Sequence, residues 1–121
     1  MSMSDKITLF GIPNCDTVKK ARVWLDEQGI AFDFHDFKKA GLTAEQAQAW
    51  LKDVERDVLV NRKGTTWRAL PDERKAAITD DAAAVALMVE NPSVVKRPVL
   101  FDGKQYHVGF KADQYQHIFE K

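Results

Sequence analysis

Cysteine is almost absent from this sequence of 121 residues, which has a single one at position 15. An internal disulfide needs two cysteines, so a disulfide within this chain can neither stabilise the fold nor act as a redox switch. A solitary thiol is typical of a reducing compartment, and the polar start Met-Ser-Met-Ser-Asp-Lys lacks the apolar core of a signal peptide. We therefore expect a cytoplasmic protein.

An excess of charge of either sign is also missing, because 18 lysines and arginines balance 18 aspartates and glutamates. Without an excess of positive charge, the composition does not favour binding to nucleic acid. No apolar run approaches the roughly 20 residues that a membrane-spanning helix needs, so a membrane partner is not expected either. His35, His107 and His117 are too scattered for a metal motif, and no metal site is expected.

The length and composition suit one domain. The chain is 45% hydrophobic and 30% charged, which is ordinary for a globular protein. We find no internal repeat, low-complexity tract or linker in the sequence, and therefore predict a single domain over residues 1–121 that is a monomer.

The stretch around the cysteine combines a strand, a turn and a helix. Residues 7–10 form a short apolar run, Gly11 and Pro13 interrupt it, and apolar residues then recur at a spacing typical of one buried helical face. Cys15 therefore lies at the predicted N-terminus of this helix. Unpaired backbone N–H groups and the helix dipole stabilise an anion there, so we expect the pKa of the thiol to lie below its usual value. Lys19 adds a smaller contribution, because an exposed ammonium group is well screened.

Two interpretations of Cys15 follow from the residues alone. A lone cysteine is commonly an inert, buried, small apolar side chain. The Pro-Asn-Cys turn that leads into a helix favours the second interpretation, in which Cys15 is a reactive thiolate.

The rest of the first half completes a β-α-β unit. Gln28 and Gly29 are typical of a helix end, and residues 30–37 alternate apolar and polar side chains as a second strand does. A strand–helix–strand unit of this length predicts parallel pairing through a right-handed crossover.

The second half contains several helices and then a hairpin. Helical segments are predicted at 44–54, 57–62, 66–69, 72–78 and 80–90, and Thr43 with Gln46 is typical of a capping box. This run is too long for a simple connection, so we interpret residues of about 40–91 as a helical insertion. Strands at 94–101 and 104–108 flank Asp102-Gly103, which is a strong hairpin signal, and a last helix is predicted at 111–119.

This order of elements resembles the thioredoxin fold, and four segments are similar to the arsenate reductase (ArsC)/Spx superfamily, most of all to its small YffB-type members. The segments are residues 11–21, 59–65, 91–98 and 108–111, and the similarity covers nearly the whole chain. The resemblance implies an α/β, thioredoxin-like fold (βαβ–ββα) with a helical insertion between the two halves.

The resemblance also implies roles for four residues. Cys15 matches the nucleophile of the family, and Arg62 and Arg97 match arginines that hold an oxyanion near that cysteine in the arsenate reductases. Pro98 matches the cis-proline that lies against the active site of thioredoxin-like folds. From the residues alone, the two arginines have another interpretation, since surface arginines commonly pair with carboxylates and do little else.

The sequence departs from the family in three places. Arsenate reductases of this type carry a histidine where this chain has Gly11, and a third arginine near the segment His107-Val-Gly-Phe110. The chain therefore has fewer groups that could hold an arsenate ion. Spx regulators usually carry a Cys-x-x-Cys switch, whereas the residue three positions after Cys15 is Val18.

We therefore predict a glutathione-dependent thiol reductase, related to arsenate reductases, that has no tightly bound cofactor. A single thiol cannot release its own mixed disulfide, so an external thiol must do so, and glutathione is the abundant one; glutaredoxin is a second candidate. Arg62, Arg97 and Lys19 would hold the glutathione carboxylates, and Asn14 would orient the thiolate. The substrate would be a small-molecule or protein disulfide. The alternative is a non-catalytic, Spx-like regulatory module that binds a protein.

Overall fold

The structure of the chain is a computed structural model that describes residues 7–120. Four strands and eight α-helices lie within this range, in an order that confirms the predicted α/β, thioredoxin-like fold. In chain order they are β1 (Thr8–Gly11), α1 (Asp16–Glu27), β2 (Asp33–Asp36), α2 (Phe37–Ala40), α3 (Ala44–Leu51), α4 (Arg56–Leu59), α5 (Thr65–Arg68), α6 (Asp72–Ala76), α7 (Asp81–Glu90), β3 (Val99–Phe101), β4 (Tyr106–Val108) and α8 (Ala112–Phe119).

The chain forms two compact units. Residues 38–96 make up the second unit, and the parts of the chain before and after them make up the first. The first unit contains β1 to β4 and the helices α1 and α8, whereas the second contains α3 to α7. The prediction of a single domain, with a helical insertion at about 40–91, stays a prediction.

The sheet of the first unit has the strand order β2-β1-β3-β4. β1 and β2 are parallel, as the β-α-β pattern predicts, and Leu9 pairs with Phe34. β3 runs antiparallel to β1 and to β4, which confirms the hairpin around Asp102-Gly103. Because β1 ends at Gly11 and α1 begins at Asp16, the turn that carries Cys15 lies at the carboxyl end of β1.

α1 and α8 share one core with the sheet. Leu9 of β1, Leu100 of β3, Ala21 and Leu25 of α1, and Tyr115 of α8 are fully buried and form one cluster. The spacing of Val18, Ala21 and Leu25 along α1 gives the single buried face that the sequence predicts. This packing holds the N-terminus of α1, and with it Cys15, in a fixed position against β1.

The second unit is built on the packing of α3 against α7. Trp50 of α3 and Leu87 and Met88 of α7 are fully buried. α3 begins at its predicted cap, where Thr43 Oγ1 accepts the N–H of Gln46 at 3.1 Å. The cap of α7 is Asp80, which the sequence places inside the helix; its Oδ1 accepts the N–H of Ala83 at 2.8 Å.

Several predicted elements differ from the structure in their bounds. The strand predicted at 94–101 is wrong at its start: a 3₁₀ turn covers Pro92–Val94, and β3 begins only at Val99. The helix predicted at 57–62 ends at Leu59, so that Arg62 lies on a turn. The second strand begins at Asp33 rather than at residue 30, and the short helix α2 follows it directly.

The sheet has two edges, formed by β2 and β4. β2 carries Asp33 and Asp36 at its two ends. β4 is three residues long, and the carbonyl oxygen of its last residue, Val108, accepts a hydrogen bond from Gln114 Nε2 of α8 at 3.2 Å.

None of the helices in the described range is both long enough and apolar enough to cross a membrane.

Candidate active site around Cys15

Cys15 is the N-cap residue of α1. Its backbone N–H donates to the carbonyl of Ile12 at 3.1 Å, which closes the turn after β1, and its carbonyl accepts the N–H of Lys19 at 3.0 Å, which begins the helix. Its backbone is extended (φ −85°, ψ 124°), as expected for an N-cap. The side chain is half-buried, so the sulfur is reachable from solvent.

The surroundings of Cys15 favour its thiolate. Burial has the largest single effect on the pKa of the Cys15 thiol, and it raises that pKa. Three groups lower the pKa and together outweigh burial: the N–H of Val18, the Arg97 guanidinium and the N–H of Thr17. The pKa of Cys15 therefore lies below its ordinary value. The side chain does not meet the geometry of a capping hydrogen bond, so we attribute the effect of the two N–H groups mainly to electrostatic attraction. The pKa shift of Cys15 therefore has the predicted direction, and the cation that contributes most to it is Arg97.

Arg97 and Pro98 form the other side of the site. The peptide bond between them is cis, as the resemblance implies for Pro98. Pro98 is buried, and its carbonyl accepts the N–H of Gly109 at 2.8 Å. Gly109 is buried and has φ +78°, a conformation that favours glycine. The loop between β4 and α8 therefore holds the segment that presents Arg97 to the sulfur.

Asn14 and Lys19 belong to the same unit as Cys15. Asn14 immediately precedes Cys15 and is exposed, and the side chain of Lys19 is exposed about one helical turn further along α1. Their predicted roles in binding and orientation stay predictions.

Arg62 belongs to the second unit. It lies on a turn after α4, where its Nη2 atom is 2.6 Å from Oδ1 of Asp57. Its guanidinium carbon is 5.3 Å from the ring centroid of Trp67, a buried residue of α5. A carboxylate partner is what the surface interpretation of this arginine expects, and its role in substrate binding stays a prediction.

His107 has a structural role in the β3–β4 hairpin. Its Nε2 atom lies 2.8 Å from Oδ2 of Asp102, and Oδ1 of Asp102 accepts the N–H groups of Lys104 and Gln105 at 2.8 and 2.9 Å. The carboxylate thus ties the turn to the strand. The observed role of His107 is therefore structural.

The sequence did not single out the close packing between Gly11 and Val18. A Cβ atom at position 11 would lie 2.8 Å from Cγ2 and 3.0 Å from Cγ1 of Val18, and 3.5 Å from Phe34. A side chain at position 11 would therefore overlap Val18 unless Val18 moved. Gly11 lets α1 approach the end of β1 closely, which fixes the turn that carries Cys15.

We expect Gly11→Ala to lower the free energy of unfolding by about 1–3 kcal/mol, since the added methyl group overlaps a stiff β-branched side chain. Urea denaturation of the wild type and the variant measures this change. In a Val18→Ala background the same substitution should cost less than about 0.5 kcal/mol, because the overlapping atoms are gone. Equal costs in the two backgrounds would show that Val18 is not the cause.

Among residues 7–120, no three histidine, cysteine, aspartate or glutamate side chains come together as a metal site would require. The chemistry that the site offers is that of the thiolate itself. A thiolate beside a guanidinium and a helix N-terminus can attack a sulfur atom or an oxidised centre, and it forms a covalent adduct with what it attacks.

Comparisons with known proteins agree with this fold. The sequence profile of the ArsC family matches residues 10–118. A solved structure named YFFB protein is 45% identical, covers 93% of this chain and 98% of its own, and superposes with a TM-score of 0.88. An arsenate reductase (ArsC) related protein from Brucella melitensis is 48% identical, covers 96% of both chains and has a TM-score of 0.75.

A third relative is a transcriptional regulator. The global transcriptional regulator Spx of Streptococcus agalactiae is 30% identical over 111 residues, which are 89% of this chain and 79% of that protein. The chain is thus similar both to a protein related to arsenate reductase and to a regulator.

Proposed function

We propose that this chain, which belongs to the ArsC family, is a thiol-based reductase whose nucleophile is Cys15 and whose reducing agent is glutathione. One observation carries the proposal: the pKa of the only thiol is lowered in the presence of Arg97 and the N–H groups of the α1 N-terminus. A lowered pKa does nothing for a buried structural cysteine, whereas a nucleophilic cysteine must be ionised in order to react.

The reaction proceeds in two exchanges. In the first, the Cys15 thiolate attacks one sulfur of a disulfide; the new bond joins Cys15 to that sulfur, and the other half leaves as a thiolate and takes a proton from water. In the second, the thiolate of glutathione attacks the mixed disulfide, joins to the sulfur that Cys15 held and releases the Cys15 thiolate. The first half is released as a thiol, and the half that Cys15 held leaves as a mixed disulfide with glutathione. Where that half is itself glutathione, the product is oxidised glutathione, and glutathione has supplied the electrons.

The need for an external thiol follows from the sequence. Cys15 is the only cysteine, so the chain has no second thiol that could attack the mixed disulfide from within. Arg97 would attract a carboxylate of glutathione as well as the thiolate, and Lys19 is a further cation for the same purpose. Asn14 would orient the incoming group. Glutaredoxin is the second candidate donor.

The proposal favours a disulfide over arsenate as the substrate. In this chain Gly11 and the segment around His107 stand where arsenate reductases of the family carry histidine and a third arginine. An arsenate ion would therefore have fewer donors around it than in those enzymes, whereas disulfide exchange requires only an activated thiolate.

Mass spectrometry tests the proposed function. The protein is mixed with a disulfide between glutathione and an aromatic thiol, and we expect one glutathione group to become attached to Cys15. Reduced glutathione should then remove it and restore the starting mass, with release of oxidised glutathione. An adduct that forms but persists in excess glutathione would contradict the proposed reductant.

A regulatory binding protein is the second candidate, and it rests on the similarity to Spx. An internal disulfide switch cannot operate here, because the chain has Val18 three positions after its only cysteine. If Cys15 forms no adduct and its alkylation shows an ordinary pKa, this candidate replaces the reductase.

A further inference from the structure

The loop between β4 and α8 is held to α8 on both sides of Gly109. On one side, Gln114 Nε2 donates to the carbonyl of Val108 at 3.2 Å. On the other side, the ring centroids of Phe110 and Tyr115 are 4.7 Å apart, and the two rings are nearly perpendicular. Tyr115 is fully buried in the core of the first unit, so this second contact has a fixed partner. Two adjacent residues of α8 therefore determine where Gly109 lies.

The pairing of Gly109 with Pro98 has only one of its two usual hydrogen bonds. Val99 pairs with Val108, so Pro98 and Gly109 stand opposite each other one step further along the two strands. A hydrogen-bonded antiparallel pair normally exchanges two bonds. The Gly109 N–H donates to the Pro98 carbonyl at 2.8 Å, but a proline has no N–H with which to return a bond. The position of the Pro98 carbonyl therefore depends on what holds Gly109.

We propose that Gln114 is a positioning residue, which keeps the Arg97 guanidinium beside the sulfur of Cys15. It acts through the end of β4: the amide of Gln114 fixes the Val108 carbonyl, the next residue donates to the Pro98 carbonyl, and Pro98 is bonded directly to Arg97. This inference rests on the proposed function, in which Cys15 reacts as a thiolate. It assigns to α8 a part in the chemistry of a residue that lies on another helix.

The contact between Arg97 and Cys15 is sensitive to such positioning. A hydrogen bond from a guanidinium weakens steeply when its donor is misaligned. The ring of Pro98 fixes its φ angle, so a displacement of the Pro98 carbonyl is transmitted to Arg97 with little compensation. A displaced guanidinium keeps its charge and so keeps part of its attraction for the thiolate. The loss of the Gln114 bond should therefore have a smaller effect than the loss of Arg97 itself.

The test is the pH profile of Cys15 alkylation by iodoacetamide in Gln114→Met. Methionine has an unbranched side chain of similar length but no N–H to donate. We expect the midpoint of the profile to move upward by roughly 0.3–0.5 pH units, because the thiolate loses part of its hydrogen bond. On the plateau at high pH the rate should equal that of the wild type. In an Arg97→Gln background, Gln114→Met should leave the midpoint unchanged.

Gln116→Met is the matched control. Gln116 lies on the same helix two residues further on, and it is exposed. The same substitution there should leave the midpoint of the wild type unchanged. Urea denaturation checks that the variants fold. If Gln114→Met does not fold, Gln114→Glu takes its place with Gln116→Glu as its control: both add one negative charge, and only the first replaces the donor with a group that cannot donate.

Three results would overturn the proposal: an unchanged midpoint in the folded Gln114 variant, an equal shift in the Gln116 control, or an undiminished shift in the Arg97→Gln background. Alkylation needs neither glutathione nor a disulfide, so these results do not depend on the proposed reaction. If the midpoint moves as expected but glutathione never releases its adduct from Cys15, the proposed reductant is refuted and the positioning role stands. If disulfide reduction proceeds while the midpoint stays unchanged, only the positioning role is refuted.

Discussion

Substituting Cys15 by serine should abolish glutathione-dependent disulfide reduction, with a loss of at least about a thousandfold in turnover. A serine hydroxyl is not ionised near neutral pH and cannot form the mixed disulfide on which both exchanges depend. Turnover is measured from the oxidised glutathione released with an aromatic mixed disulfide as substrate. Since Cys15 is the only cysteine, the variant contains no thiol that could replace it.

The same variant should fold normally, because the Cys15 side chain is half-buried and lies outside the core cluster. Its stability supplies a second readout. The pKa of Cys15 is lower in the folded state, so the wild type gains free energy of unfolding over Cys15→Ser as the pH rises through the folded pKa, and this gain levels off above the unfolded pKa. A gain that appears only as the pH falls would contradict a stabilised thiolate.

Arg97→Gln has the second largest expected effect. The variant removes the guanidinium that favours the thiolate, so the pKa of Cys15 should rise towards its ordinary value. Alkylation of Cys15 by iodoacetamide near pH 7 should slow by up to about tenfold, because a smaller fraction of the thiol is ionised at that pH. Above the pKa of both proteins, the two alkylation rates should converge.

Arg22→Gln is the matched control for Arg97→Gln. Arg22 lies on α1 about two turns beyond Cys15, and its guanidinium carbon is 4.3 Å from the ring centroid of Phe34. The substitution removes the same charge from the same unit, so its pH profile should match that of the wild type. If the two variants shift the profile equally, the contact between Arg97 and Cys15 is not what lowers the pKa.

Much of the fold is predictable because local signals agree with one another. The break at Gly11 and Pro13 after an apolar run predicts the turn between β1 and α1, and the structure has β1 end at Gly11. The Asp102-Gly103 dipeptide between two apolar runs predicts a hairpin, which β3 and β4 form. In each case residues close in sequence determine the geometry.

The differences arise where distant contacts decide the conformation. Val94 and Val95 belong to an apolar, β-branched run that is typical of a strand, but they are buried in the second unit, where Val95 forms a single bridge with Val60. Periodicity reports that such residues are buried and cannot report which element buries them. The same limit applies to Arg62. The sequence shows an arginine, whereas its ion pair with Asp57 and its contact with the Trp67 ring follow from the packing of short helices.

The candidate site was predictable in part for the same reason. The position of Cys15 at a helix N-terminus depends on neighbouring residues, so the pattern around it was sufficient. The contact with Arg97 joins residues 82 positions apart in the numbering and came only from the resemblance to a family. The hydrogen bond from the Gly109 N–H to the Pro98 carbonyl depends on the loop after β4. Nothing in the sequence predicts this bond apart from the similarity of the segment Val108-Gly-Phe-Lys111 to the family.

The two edges of the sheet bear on how the protein behaves at high concentration. An exposed strand edge is a template on which another chain can extend the sheet, and this is a common start of aggregation. Here one edge places the carboxylates of Asp33 and Asp36 at its ends, and the other is three residues long with its last carbonyl occupied by Gln114. A second chain would meet charge at one edge and a short, partly satisfied ladder at the other, so edge-to-edge growth into fibrils is disfavoured.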